Sequence, residues 1–173
     1  RGRCRKPQIA LAKSYGLRDY PCPSGGCLLT DAGFAARMRD LMAHSPDFTL
    51  NDVHLLKVGR HFRLSPDAKA IVGRDDEENQ KLLSLAGPDD LLMQTADVPG
   101  ALTVVRGPVS QAGVDAAASL TAWYSKARQL ESARIEVRRK SGEPSSIAAA
   151  PKTSSELALA GIDREKPQLP ELP

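Results

Sequence analysis

Two kinds of side chain in this sequence could do chemistry: cysteine thiols near its start and clustered Lys and Arg groups further on. Cys22 and Cys27 bracket a Pro/Gly-rich stretch, PCPSGGC, with Cys4 well before them. A thiolate there could carry sulfur or ligate an iron–sulfur cluster, although the spacing is not a zinc pattern and a fourth ligand is absent. The competing reading is a buried or idle thiol. Three cysteines cannot all pair within one chain, so a disulfide scaffold is disfavoured.

The cations fall into two groups. Lys57, Arg60 and Arg63 surround Gly59, and alternate spacing on a strand would present Lys57 and Arg63 together. Lys126, Arg128, Arg134, Arg138, Arg139 and Lys140 form the densest cluster. Phosphate binding draws on such clusters because each neutralised phosphate releases condensed counterions, and guanidinium can form paired bonds to phosphate oxygens. The bland alternative is a set of solvated faces or a strand edge protected from aggregation. His61 reads as a neutral packing or surface residue, since no Ser, Cys or Asp stands at an interpretable distance from it. Paired carboxylates, a Ser-His-Asp order and a complete phosphate loop are all missing, so the sequence shows no self-contained active site and no metal site.

These side chains need elements to hold them. KPQIALAKSY (6–15) has helical spacing with Gly16 as its stop, and Asp31 caps a second helix that ends near His44. VHLLKVG, HFRLS and AKAIVG read as strands, with Ser65-Pro66-Asp67 turning the chain between the last two. Asp75 to Glu78 starts a helix that Gly87-Pro88 ends. Leu91–Thr95 and Ala101–Arg106 flank a turn at Pro99-Gly100, where Pro sets φ and Gly releases it. Ala112 to Arg128 is the longest helical pattern, and ARIEVRRK (133–140) alternates as a half-exposed strand. After Ser141, five prolines among Ser and Ala predict a disordered tail, with at most one or two helical turns over 154–162. The expected class is α+β: a mixed, largely antiparallel sheet packed by two helices, preceded by a short helical segment.

Composition narrows the function. The 173 residues are 41% hydrophobic and 26% charged, which suits one ordinary domain with attached segments and excludes collagen-like or wholly disordered material. With only 4% aromatic residues, few rings are available to stack on bases or sugars. The net charge of +3 is uneven: residues 101–140 hold seven basic and three acidic groups, whereas residues 51–100 hold six and nine. A polyanion would be met locally. No apolar run approaches the ~18 residues of a membrane span and no secretory signal is visible, so no membrane partner and a cytoplasmic location are expected.

IVGRDDEENQKLLSLAGPDDLLMQTADVPGALTVVR (71–106) resembles the RNA-binding domain of the NFACT family, through Val72, Gly73, Arg74, Asn79, Asp90, Leu91, Asp97, Pro99 and Gly100. The later YSKAR (124–128) and the strand after it extend the resemblance over roughly 51 to 140. It implies a domain at 47–140 that contacts RNA, and adds Arg74 and the Asp97-Pro99-Gly100 turn to the clusters above. Ribosome-associated members carry an aromatic and a His before D-x-P-G and Ser-His after it; here Leu92, Met93 and Gln94 stand before and Ala101-Leu102 after.

DYPCPSGGCLLTD (19–31) and LLKVGRHFRL (55–64) resemble the C-terminal end of PP-loop ATPases of the tRNA-thiolation type. That resemblance implies that residues 1–46 close a catalytic domain encoded upstream of Arg1, which would bind ATP; Ser24-Gly25-Gly26 lacks the Asp-Ser that completes an ATP loop. It makes Cys27, inside GGCLLTD, the better candidate for a sulfur-carrying thiol, with Cys22 second. The expected partner is tRNA or another structured RNA. The alternative is that the chain contributes a working cysteine to a sulfurtransferase, with thiouridine as the product.

Overall fold

The computed structural model describes residues 6–16, 28–159 and 161–162. Helix α1 (Lys6–Ser14) is followed by α2 (Ala32–His44), whose first turn is closed by Asp31, the carboxylate accepting from the Phe34 amide at 2.7 Å. Next comes α3 (Leu50–Leu55), a helix where a strand was expected. The reason is local. Thr49 and Asp52 form a capping box, and the apolar side chains pair at helical spacing rather than alternating. Val53 and Leu56 pack with Phe34 and Leu41 of α2, whereas Leu55 and Val58 turn to a second cluster against the sheet.

Strands β1 (Arg60–Ser65) and β2 (Ala68–Val72) form the expected hairpin, then α4 (Asp76–Leu85) leads to β3 (Leu91–Thr95) and β4 (Thr103–Arg106). Helix α5 (Gln111–Trp123) precedes β5 (Ala133–Arg139) and β6 (Ser145–Ala149). The sheet order is β1-β2-β4-β3-β5-β6 and every pairing is antiparallel, so the sheet is not mixed. Period-two alternation divides the core. Ala70, Val72, Met93, Val105 and Ile135 face α5, while Ile71, Leu92 and Val104 face α3 and α4. Alanines 117, 118 and 122 are fully buried on α5, and their small side chains suit a helix lying close on a sheet.

The long helix expected over 112–128 stops at Trp123, because the chain after Tyr124 breaks into a short 3-10 turn, Lys126–Gln129, capped by the Ser125 hydroxyl. The tail departs as well. Ser145–Ala149 pairs with β5 as a sixth strand, and the chain continues as a strap from that edge of the sheet to the other. The Lys152 amide donates to the Ser119 carbonyl of α5 at 3.3 Å, Leu157 and Leu159 pack onto the α5-side core, and Gly161 bridges to Phe62 of β1. The segment holds few large apolar side chains. A strap needs only a few apolar anchors once a formed sheet offers backbone partners. No helix among the described residues is long and apolar enough to cross a membrane.

Candidate nucleic-acid interface

The end of the sheet where β1 begins and β2 finishes gathers four segments: Arg60, the Gly73-Arg74 link, the β3–β4 turn and the chain leaving α5. Their meeting is built by backbone bonds. The Lys126 amide donates to the Pro99 carbonyl at 3.2 Å and the Ala101 amide to the Tyr124 carbonyl at 3.3 Å, so the turn is clamped to the end of α5. Gly100 makes that approach possible, since a Cβ there would lie 2.5 Å from the Ser125 Cβ and 2.8 Å from the Thr95 hydroxyl oxygen. Asn79 completes the joint from α4: its Nδ2 donates to the Gly100 carbonyl at 3.4 Å and its Oδ1 accepts from the Leu102 amide at 2.9 Å. The Gly73 amide donates to the Leu102 carbonyl at 3.0 Å. The spaced Gly73, Asn79 and Pro99-Gly100 are therefore parts of one junction.

Arg60 is held over a ring at this junction. Its guanidinium carbon stands 4.7 Å from the centre of the Tyr124 ring, and its Nη1 donates to the Gly73 carbonyl at 3.2 Å. Tyr124 in turn lies against Phe62, with ring centres 6.1 Å apart. Arg74 pairs with Glu78 at 2.9 Å, and that carboxylate also accepts from the amides of Arg74 and Gly59. Gly59 has φ +78, which lets the chain turn sharply from α3 into β1 against Val72. Lys126 and Arg128 are exposed and make no ion pair with the described residues. Two cavities, of about 340 and 290 Å³, share Arg60, Arg74 and Tyr124 as a common wall. The first runs under the strap at Ser154 and Ser155; the second is bounded by Pro99, Gly100, Ser125, Lys126 and the α4 start at Asp75 and Asp76.

The other cations expected at an interface are dispersed. Arg60 and Arg63 are three apart on β1, so alternation sends them to opposite faces: Arg60 shares the α5 face with Phe62, and Arg63 turns toward α2, where its guanidinium pairs with Asp40. Lys57 is exposed just after α3 and does not share a strand with Arg63. Arg134 pairs with Asp97, both well exposed, which places it at the same end of the sheet as Pro99. Arg138 lies beside Glu136 at 3.7 Å on the outward face of β5. Arg139 donates to the Asp89 carbonyl at 2.6 Å and Lys140 to the Ala86 carbonyl at 2.9 Å, both at the opposite end. Tyr124, Ser125 and Asn79 were missing from the sequence-derived contact set; the signal was present in YSKAR and in the Asn after the acidic helix start. Cys22 and Cys27 lie outside the described residues.

His61 is 1% exposed, with its Nε2 donating to the Val58 carbonyl at 2.9 Å when the ring proton is assigned there. Its buried Nδ1 meets no hydrogen-bond partner among the described residues. Burial, reinforced by the positive charges of Lys69 and Arg37, pushes its pKa down to about 3, so it is neutral and part of the core. The unfolded chain takes up that proton near its ordinary value of 6.5. Stability is thus complete above pH 6.5 and declines as pH falls toward 3, by up to roughly 1.4 kcal/mol per pH unit. Urea unfolding at pH 7 and pH 5 should give a lower midpoint at pH 5, and His61→Phe should flatten the difference. Superimposed wild-type curves would show that the folded protein takes up this proton as readily as the unfolded chain.

Comparison with known proteins supports the fold and the family. A family model described as the NFACT protein RNA binding domain matches residues 59–159. No curated protein matches the chain. Among solved structures, the C-terminal part of the fibronectin/fibrinogen-binding protein from Streptococcus suis is similar with a TM-score of 0.52 and 14% identity. The similarity covers 73% of this chain and 66% of that one, and it concerns the fold alone. The family match includes β6 and most of the strap, beyond the limit near 140 read from the sequence, and leaves out the helices before β1. Because it spans residues 59–159, more than half of the chain, the protein belongs to the NFACT family of RNA-binding domains.

Proposed function

We propose that the protein docks structured RNA, tRNA in particular, on the junction around Arg60, Arg74 and Lys126, with Arg128 and Arg134 extending the contact. The observation that carries this reading is the convergence of Arg60, Arg74 and Lys126 on one cleft inside the family-matched region. Backbone contacts of this kind position an RNA by shape rather than by base identity. The resemblance of residues 19–31 to thiolation-type PP-loop ATPases supports a finer reading, in which this domain is the RNA-delivery module of a longer ATP-dependent tRNA sulfurtransferase.

Anisotropy titration of labelled tRNA at several salt concentrations tests the docking. Arg60→Ala combined with Lys126→Ala should weaken binding at least about tenfold and reduce the salt slope by roughly 1.5 to 2. Arg139→Ala, at the far end of the sheet, should leave both nearly unchanged. Unaltered affinity in the double variant would place the interface elsewhere. Equal affinity for tRNA and an unrelated hairpin of the same length would remove the tRNA preference.

A further inference from the structure

The two cavities beside Arg60 are concave, and their walls combine cations, a ring and, in the second, carboxylates. Arg60 is preorganised. Its guanidinium carbon stands over the Tyr124 ring, its Nη1 donates to the Gly73 carbonyl, and Arg60 and Tyr124 line both cavities. Volumes of about 340 and 290 Å³ lie at the small end of ligand sites, which run from roughly 300 to 1,000 Å³. An RNA duplex meets proteins through regularly spaced phosphates and sugar hydroxyls, which call for a broad, even surface of donors. The second cavity does not offer that, because Asp75 and Asp76 line it together with Arg60, Arg74 and Lys126. The Asp75 carboxylate is engaged with the Glu78 amide at 2.9 Å, whereas Asp76 is exposed and makes no ion pair among the described residues. A carboxylate repels phosphate but accepts hydrogen bonds from the N–H groups on the Watson–Crick edge of an unpaired base.

Resting on the RNA-binding reading above, we propose that the paired cavities seat an unpaired nucleotide of a single-stranded RNA end or loop. Its phosphate is held beside Lys126, its base lies against the Arg60–Tyr124 wall, and the donor edge of that base turns toward Asp76. This chain has few rings, and here a guanidinium fixed on one of them supplies the flat surface that stacking needs.

The test compares an eight-nucleotide unpaired RNA with a blunt eight-base-pair RNA duplex, each carrying 2-aminopurine, titrated with the full chain. The single strand should bind at least about tenfold tighter, with a change in 2-aminopurine emission on binding. Arg60→Lys keeps the charge and loses the plane; it should abolish most of that preference and the emission change while leaving the salt slope in place. Asp76→Asn, at an exposed site, should weaken the single strand alone. Equal or tighter duplex binding with an intact salt slope would overturn the unpaired-nucleotide site and leave RNA docking standing. Absence of salt-sensitive binding to either RNA would overturn both.

Discussion

Arg106→Leu should destabilise the fold by about 3–5 kcal/mol, the loss expected when one partner of a buried ion pair is removed. Arg106 ends β4 and holds three groups at once: Asp90 at 2.6 Å, Asp52 at 2.6 Å and the Leu85 carbonyl at 3.2 Å. It thereby ties the start of α3, the end of α4 and the entry to β3 to one strand end. Burial disfavours its charge, but hydrogen bonds and charge from Asp90 and Asp52 more than offset this and raise its pKa. Burial also disfavours the Asp52 carboxylate, yet its bonds to Thr49 and the neighbouring Arg106 hold the pKa below the usual value. Asp52 therefore contributes stability above about pH 3.8, lost on further acidification through its folded pKa.

Leucine would leave Asp90, 5% exposed, with the Gly87 amide at 2.8 Å and no cation. Urea unfolding at pH 7 measures the loss, and Arg106→Leu with Asp90→Leu should recover part of it, since the more deeply buried of the two stranded carboxylates is then gone. A loss below about 1 kcal/mol would mean that water reaches the pair and screens it.

Gly100→Val should have the second largest effect, on stability and RNA affinity together. The added atoms meet Ser125 and Thr95 at distances that ordinary contacts do not reach, and Ser125 lies on the backbone segment that carries Lys126. Overpacking of this kind costs about 1–3 kcal/mol, and the strain opens the clamp between Pro99 and Lys126. The melting temperature should fall, and RNA binding should weaken by about tenfold even where the protein remains folded, a change of roughly 1.4 kcal/mol. A variant that melts earlier but binds RNA with unchanged affinity would show that the clamp supports the fold without positioning the interface.

Most of the fold was legible residue by residue. Asp31 and Asp75 cap helices as their types predict, Ser65-Pro66-Asp67 turns a hairpin, and the alternation of Ile135 and Val137 matches a strand with one buried face. The segment before Gly59 was misread because Leu55-Leu56 fits either period over so short a run, and only the packing of α2 on one side and the sheet on the other separates them. The strap was illegible for a different reason. Its few apolar residues cannot form a core, and they become useful only where α5 and β1 present a surface already made.

By itself the sequence determined which residue types are available: an excess of cations between 101 and 140, little aromatic surface, capped helices, and the ordered motif elements that mark the family. Tertiary structure decided which cations act together. Arg60, Arg74 and Lys126 meet although up to 66 residues separate them, whereas Arg63, three residues from Arg60, is turned away and paired with Asp40. Propensity and capping are local and can be read from neighbours along the chain. The face a strand residue takes, and the carboxylate that neutralises it, depend on register and on segments far away in sequence.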